Sequence, residues 1–191
     1  MREYELKAVV DDLLERRQRL VSADARLTFM GRLEDLRYDT PDHSLAKKDL
    51  VLRLRVYRNN TYASASLDWK GATEIVDGFK VRDELTTSVG DPKVISQILT
   101  SMGYVVTHEI TRDIIQYDLD GTIIRFERYP QMDVLVEVEG DPEGIESAIS
   151  VIGLPRDAFT TDSLPTFVQA FEARTGLKAA LNDREFSELK S

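Results

Sequence analysis

Charges of like sign stand two residues apart in four alternating stretches of this chain: Glu3 and Glu5, Arg53 and Arg55, Lys80 and Arg82, Glu137 and Glu139. In an extended strand, residues two apart share a face. Each pair therefore crowds one side of a strand while apolar residues take the other. Tyr4 and Leu6 oppose Glu3, Glu5 and Lys7, and Leu52, Leu54 and Val56 oppose Arg53 and Arg55. Phe79, Val81, Asp83 and Leu85 oppose Lys80, Arg82 and Glu84; Leu67 and Trp69 oppose Asp68 and Lys70; Ile124 and Phe126 oppose Arg125 and Glu127. An ordinary one-sided sheet, with water on the ionised face, shows the same alternation. A surface tuned for stability intersperses its signs, however, because like charges side by side repel. The other solution is a sheet curled so that its ionised faces point inward.

The alternating runs cover about 2–10, 32–39, 50–58, 62–70, 78–87, 108–118, 122–128 and 133–139. Asp120-Gly121 between two of them is a hairpin signal, and short connections imply antiparallel pairing. The stretch from Gly71 to Gly78 reads as a longer hairpin connection. Two helices are framed by Asp-Pro at the start and Gly past the end, at Asp91–Gly103 and Asp141–Gly153. Another starts from Asp11 or Asp12, with Glu15-Arg16-Arg17 on its solvated side. A fourth is expected at 163–175, capped by Asp162 and stopped by Gly176. Asn182, with Glu185 three residues on, signals a short last helix. The expected class is mainly antiparallel β (α+β). Tyr4, Trp69 and Phe79 read as core.

A closed antiparallel barrel of about eight strands holds one small ligand inside. Charges in such an interior are costly unless paired or coordinated. The strands supply eight bases, Lys7, Arg53, Arg55, Lys70, Lys80, Arg82, Arg112 and Arg125, and six acids, Glu3, Glu5, Glu84, Glu127, Glu137 and Glu139. Guanidinium and ammonium groups suit phosphate oxygens. Clustered carboxylates suit Mg²⁺ or Mn²⁺, which take oxygen ligands and bridge to phosphates. Together they describe a metal–polyphosphate site. Composition agrees by exclusion. The chain has no cysteine and two histidines, His43 and His108, so thiolate and His-rich metal chemistry are out. Its net charge of −9 argues against a nucleic-acid coat or an anionic membrane surface. Met1-Arg2-Glu3 is unlike a signal peptide, and no apolar run reaches the roughly 18 residues of a membrane helix. A cytoplasmic location is expected, and exposed sheet or helix surface could make a homodimer.

Glu3-x-Glu5-x-Lys7 resembles the ExExK opening of the CYTH superfamily, the triphosphate tunnel metalloenzymes. The likeness continues through Asp35–Asp42, Arg53-x-Arg55, Lys70-Gly71, Lys80-x-Arg82-x-Glu84, Arg112 and Glu137-x-Glu139. It implies a closed eight-stranded antiparallel β tunnel with helices packed outside, over 1–176, leaving 177–191 as a tail with a short helix. It also implies roles: Glu3, Glu5, Glu84, Glu127, Glu137 and Glu139 toward one or two divalent metals, Mg²⁺ or Mn²⁺; Lys7, Arg53, Arg55, Lys70, Lys80, Arg82, Arg112 and Arg125 toward phosphates; Lys7, Glu5 and Arg125 toward catalysis. Asp35 and Arg37 alternate inward and receive no role. The layout is most similar to the class IV adenylyl cyclase-like branch. Cyclases of that branch carry His-Phe before ExExK, where this chain has Met1-Arg2, and Glu127 stands where Asp is usual. Relatives also continue differently at Asp162–Pro165. The expected activity is therefore hydrolysis of a triphosphate-containing small molecule, with cyclization of ATP to cyclic AMP and pyrophosphate, or polyphosphate binding without turnover, as alternatives.

Overall fold

A computed structural model describes residues 2–191. These residues form nine strands, β1 (Arg2–Val9), β2 (Arg26–Asp39), β3 (Val51–Arg58), β4 (Ala63–Lys70), β5 (Glu74–Val76), β6 (Phe79–Val89), β7 (Val105–Leu119), β8 (Thr122–Arg128) and β9 (Leu135–Gly140), and five α-helices. The helices are α1 (Leu13–Ser22), α2 (Pro92–Ser101), α3 (Pro142–Ile152), α4 (Leu164–Thr175) and α5 (Asp183–Glu188). Eight strands run β1-β9-β8-β7-β2-β3-β4-β6, and β6 returns to β1, closing an antiparallel barrel. β5 is an extra strand on β6.

The two faces of each strand explain the closure. Leu6, Ala8, Val81, Ile124, Phe126, Val136 and Val138 point outward and pack against Leu20 of α1 and Ile145, Ala148, Ile149 and Ile152 of α3. Tyr38 and Leu54 likewise meet Leu99 of α2. Ile110, Tyr129 and Leu135 instead share the ionised face with Arg112, Glu127 and Glu137 and meet Leu164 and Phe167 of α4, whose start lines the lumen. Burying each large aliphatic or Phe side chain contributes roughly 1.5–3 kcal/mol. α1, α2 and α3 thus cover the apolar outside, and the ionised faces have only the lumen left. Among the described residues no helix is long and apolar enough to cross a membrane.

Several elements differ from the sequence reading. β2 begins at Arg26 and β7 at Val105; the added residues are mostly exposed on both faces, so they carry no alternation. The connection after Gly71 contains β5. The cap of α4 is Ser163; Asp162 instead accepts a bond from Thr160 Oγ1 at 3.0 Å. Trp69 is only half-buried. Arg16, read as solvated, is buried and bonded to Asp11 and to the carbonyls of Ile152 and Gly153 at the end of α3.

Candidate active site

The lumen is a cavity of about 570 Å³ whose lining includes nine basic and nine acidic side chains. All fourteen candidate residues from the sequence line it. Ring order sets them against one another: β1 stands opposite β2, β9 opposite β3, β8 opposite β4 and β7 opposite β6. One side, β6-β1-β9, carries most of the carboxylates, with lysines between them. The facing side, β7-β2-β3, carries arginines.

Asp35 of β2 organises the arginine side. It faces Arg55 across the β2–β3 ladder, and its Oδ1 accepts from Arg55 Nε at 2.8 Å. Its Oδ2 accepts from Arg55 Nη2 and Arg112 Nη1, each at 3.1 Å, and Arg53 Nη1 lies 3.6 Å away. Burial opposes ionisation of Asp35, but the guanidinium groups of Arg55, Arg112 and Arg53 hold its carboxyl well below the usual range. Arg53 is further fixed by Asp68 Oδ2 at 2.9 Å. Glu127 of β8 accepts from Arg112 Nε at 2.7 Å and from the Tyr129 hydroxyl at 2.8 Å. Burial works against its charge, yet Arg112 and Lys7 bring it down to about 2. Arg55 is also hydrogen-bonded to the Tyr57 hydroxyl.

The carboxylate side is tighter. The carboxyls of Glu84 and Glu139 are neighbours of Glu3. Burial, then Glu3, pushes Glu84 up to about 7 and Glu139 up to about 8. Against its own burial, Glu3 is held well below the usual range by Glu84, Glu139 and Lys70. Lys70 also pairs with Glu84. Lys80 Nζ donates to Glu5 at 2.6 Å. Lys7 pairs with Glu137 and lies 3.6 Å from Glu5; burial brings its ammonium down to about 8, against the pull of Glu5 and Glu127. Arg125 Nη1 donates to Glu137 at 2.6 Å. At the rim, Arg82 Nε donates to the Gly71 carbonyl at 2.6 Å and Arg82 also bonds the Asp49 carbonyl.

Among the described residues no three acidic or imidazole side chains form a ready-made metal cage. The donor set nevertheless fits a hard divalent cation. Every donor is a carboxylate oxygen, and Glu3, Glu84 and Glu139 line the lumen from the adjacent strands β1, β6 and β9. A divalent cation offsets the repulsion of like charges that must sit together.

Sequence reasoning gave no role to Asp35, Arg37 and Asp68, which it placed on the ionised faces, and did not single out Tyr57 and Tyr129; all five are in the lining. Period two placed Asp35 and Arg37 inward; the cross-strand register that makes Asp35 a hub was not readable. Tyr129 follows the end of β8, where alternation stops.

A family model described as CYTH domain matches residues 1–146. No curated protein matches the chain. Among solved structures, the PH1819 protein of Pyrococcus horikoshii OT3 is 21% identical with a TM-score of 0.72, over 88% of this chain and 98% of that one. A candidate adenylate cyclase from Vibrio parahaemolyticus is 17% identical with a TM-score of 0.76, over 87% and 97%. HpAC1 of Hippeastrum, a candidate adenylyl cyclase described as having a dominant triphosphatase activity, is 16% identical with a TM-score of 0.63, over 94% and 99%. At these identities the likeness is one of fold.

Proposed function

We propose that this chain, which belongs to the CYTH domain family, is a divalent-metal-dependent hydrolase of triphosphate-containing substrates. The observation that carries the reading is the closed lumen itself, with a row of carboxylates on β1, β6 and β9 facing an arginine cluster on β2, β3 and β7. A neutral ligand has no use for such walls. A polyanion carrying its own cation matches both.

Arg53, Arg55 and Arg112, already oriented by Asp35, would grip phosphoryl oxygens without reorganising, which is where electrostatic catalysis gains most. Lys70, Lys80 and Arg82 would extend that grip along β4 and β6. Glu3, Glu84 and Glu139, flanked by Glu5 and Glu137, would hold Mg²⁺ or Mn²⁺. Glu127 and Glu137 each have both oxygens engaged by cations or a hydroxyl, so joining the metal would require either to release a partner. A bound divalent cation supplies charge neutralisation on the phosphate oxygens. Water attacks the terminal phosphorus as the bridging P–O bond breaks, and the departing chain keeps the bond electrons on an oxygen met by the arginines. Lys7, paired with Glu137 and near Glu5, would hold or pass the proton of that water, and Arg125, bonded to Glu137, would steady that carboxylate.

Phosphorus NMR of tripolyphosphate and of ATP, each with the protein and Mg²⁺ and then Mn²⁺, tests the proposal. Orthophosphate with pyrophosphate, or orthophosphate with ADP, is the expected result. Pyrophosphate with cyclic AMP from ATP would overturn it in favour of cyclization. Binding without turnover would leave a polyphosphate-binding module. Lys7→Met should lower kcat by about 100-fold, the scale of a lost proton-transfer group, with KM changed only a few-fold. A KM effect alone would make Lys7 a binding group.

A further inference from the structure

Of the nine basic side chains lining the lumen, eight form a salt bridge and Arg37 forms none, among the described residues. Its Nε is sealed from solvent and has no hydrogen-bond partner. Its cross-strand neighbour on β3 is another cation, Arg53. Asp35, two residues away on the same face, already has both oxygens held by Arg55, Arg112 and Arg53. Burial and the adjacent Arg53 bring the Arg37 guanidinium down to about 10. The residue as a whole is partly buried, but a sealed guanidinium nitrogen beside another cation and without an anion costs folding stability, and an incoming anion would relieve that cost.

The backbone supports that reading. The β2–β7 register shifts between Arg37 and Tyr38, and the Thr107 hydroxyl bonds the Arg37 carbonyl at 3.3 Å. Such bulges re-aim side chains near sites. Arg37 lies near the end of β2 and lines the lumen. The level of Asp35, where Arg55 and Arg112 converge, is two residues before it, about 7 Å along the strand. A pyrophosphate settled at the Asp35 level stops short of Arg37; a chain of three phosphoryl groups reaches it.

Resting on the polyphosphate reading above, we propose that Arg37 receives the third phosphoryl group of the bound chain and makes the lumen select three phosphoryl groups over two. Non-hydrolysable ligands separate binding from turnover: bis-methylene triphosphonate and methylenediphosphonate, titrated calorimetrically with Mg²⁺ into the parent protein, Arg37→Met and Arg37→Lys. Arg37→Met should lose about tenfold or more in affinity for the triphosphonate, the scale of a charge-assisted phosphate contact, and stay within twofold for the diphosphonate. Arg37→Lys should fall between. Without ligand, Arg37→Met should melt no lower than the parent, since it removes an unpaired charge. Unchanged triphosphonate affinity, or equal losses for both ligands, would overturn the assignment while leaving the polyphosphate reading intact. A lower melting temperature with unchanged affinity would make Arg37 a structural residue. Failure of the parent to bind either ligand would overturn the polyphosphate reading and the role of Arg37 with it.

Discussion

Asp35 is the residue on which the arginine side depends. Three guanidinium groups converge on one buried carboxylate, so its loss leaves uncompensated charge rather than a mere gap. Asp35→Asn keeps the shape and removes the charge, and should destabilise the unliganded protein by about 3 kcal/mol, the scale for breaking a buried ionic cluster. Tripolyphosphate should then raise the melting temperature more in Asp35→Asn than in the parent, because the ligand supplies the missing anion. Equal shifts in a thermal melt would show that the arginines do not meet the ligand. The sequence made the ExExK, RxR and ExE residues legible because they come as like-charged pairs on one strand. Asp35 is a single acid whose importance lies in its register with Arg55 and Arg112, a relation between strands that one strand's pattern does not contain.

Elements were legible where periodicity and caps were strong. The Asp–Pro starts at Asp91 and Asp141 and the left-handed glycine at Gly153 bound α2 and α3 as expected. Exposed strand ends were not legible, because residues without a buried face have no reason to alternate, as at Arg26–Met30 of β2. Arg16 illustrates a subtler loss. Its neighbours suggest a solvated helix side, but tertiary packing brings the end of α3 over it, and its guanidinium takes the carbonyls of Ile152 and Gly153 at 3.4 and 3.2 Å. That satisfies acceptors a helix end leaves open. Arg16→Ala should cost about 2 kcal/mol, as for charged hydrogen bonds from a buried donor, whereas Asp11→Ala, at its exposed partner, should cost less. Equal, small effects in urea melts would place the α1–α3 junction in apolar contacts alone.

At the scale of the whole molecule, the barrel balances charge in a closed space, and burial pushes two of its carboxyls toward the protonated form. Glu84 and Glu139, raised by burial and by Glu3 to about 7 and about 8, bind protons more tightly folded than unfolded. For such groups the stability contribution is full below the unfolded carboxyl range, near 4.5, and is lost as pH rises through 7 and 8. Glu3 and Asp35, held low, act oppositely, but only in acid, well below this window. The metal-free protein should therefore lose melting temperature from about pH 5 to about pH 8; above that Lys7, brought down to about 8, acts oppositely. A divalent cation must displace the same protons, so its apparent affinity should rise over that window, with proton release large at pH 6 and fading above pH 9. Titrating Mg²⁺ in buffers of different ionisation enthalpy measures that release directly. Release that is absent at pH 6, together with a Mg²⁺-induced melting shift independent of pH, would place the cation away from Glu3, Glu84 and Glu139. Proton release that tracks the loss of metal-free stability would tie both to the same carboxylates, and the cost of holding like charges together in the empty lumen would then appear as discrimination in favour of a cation-bearing polyanion.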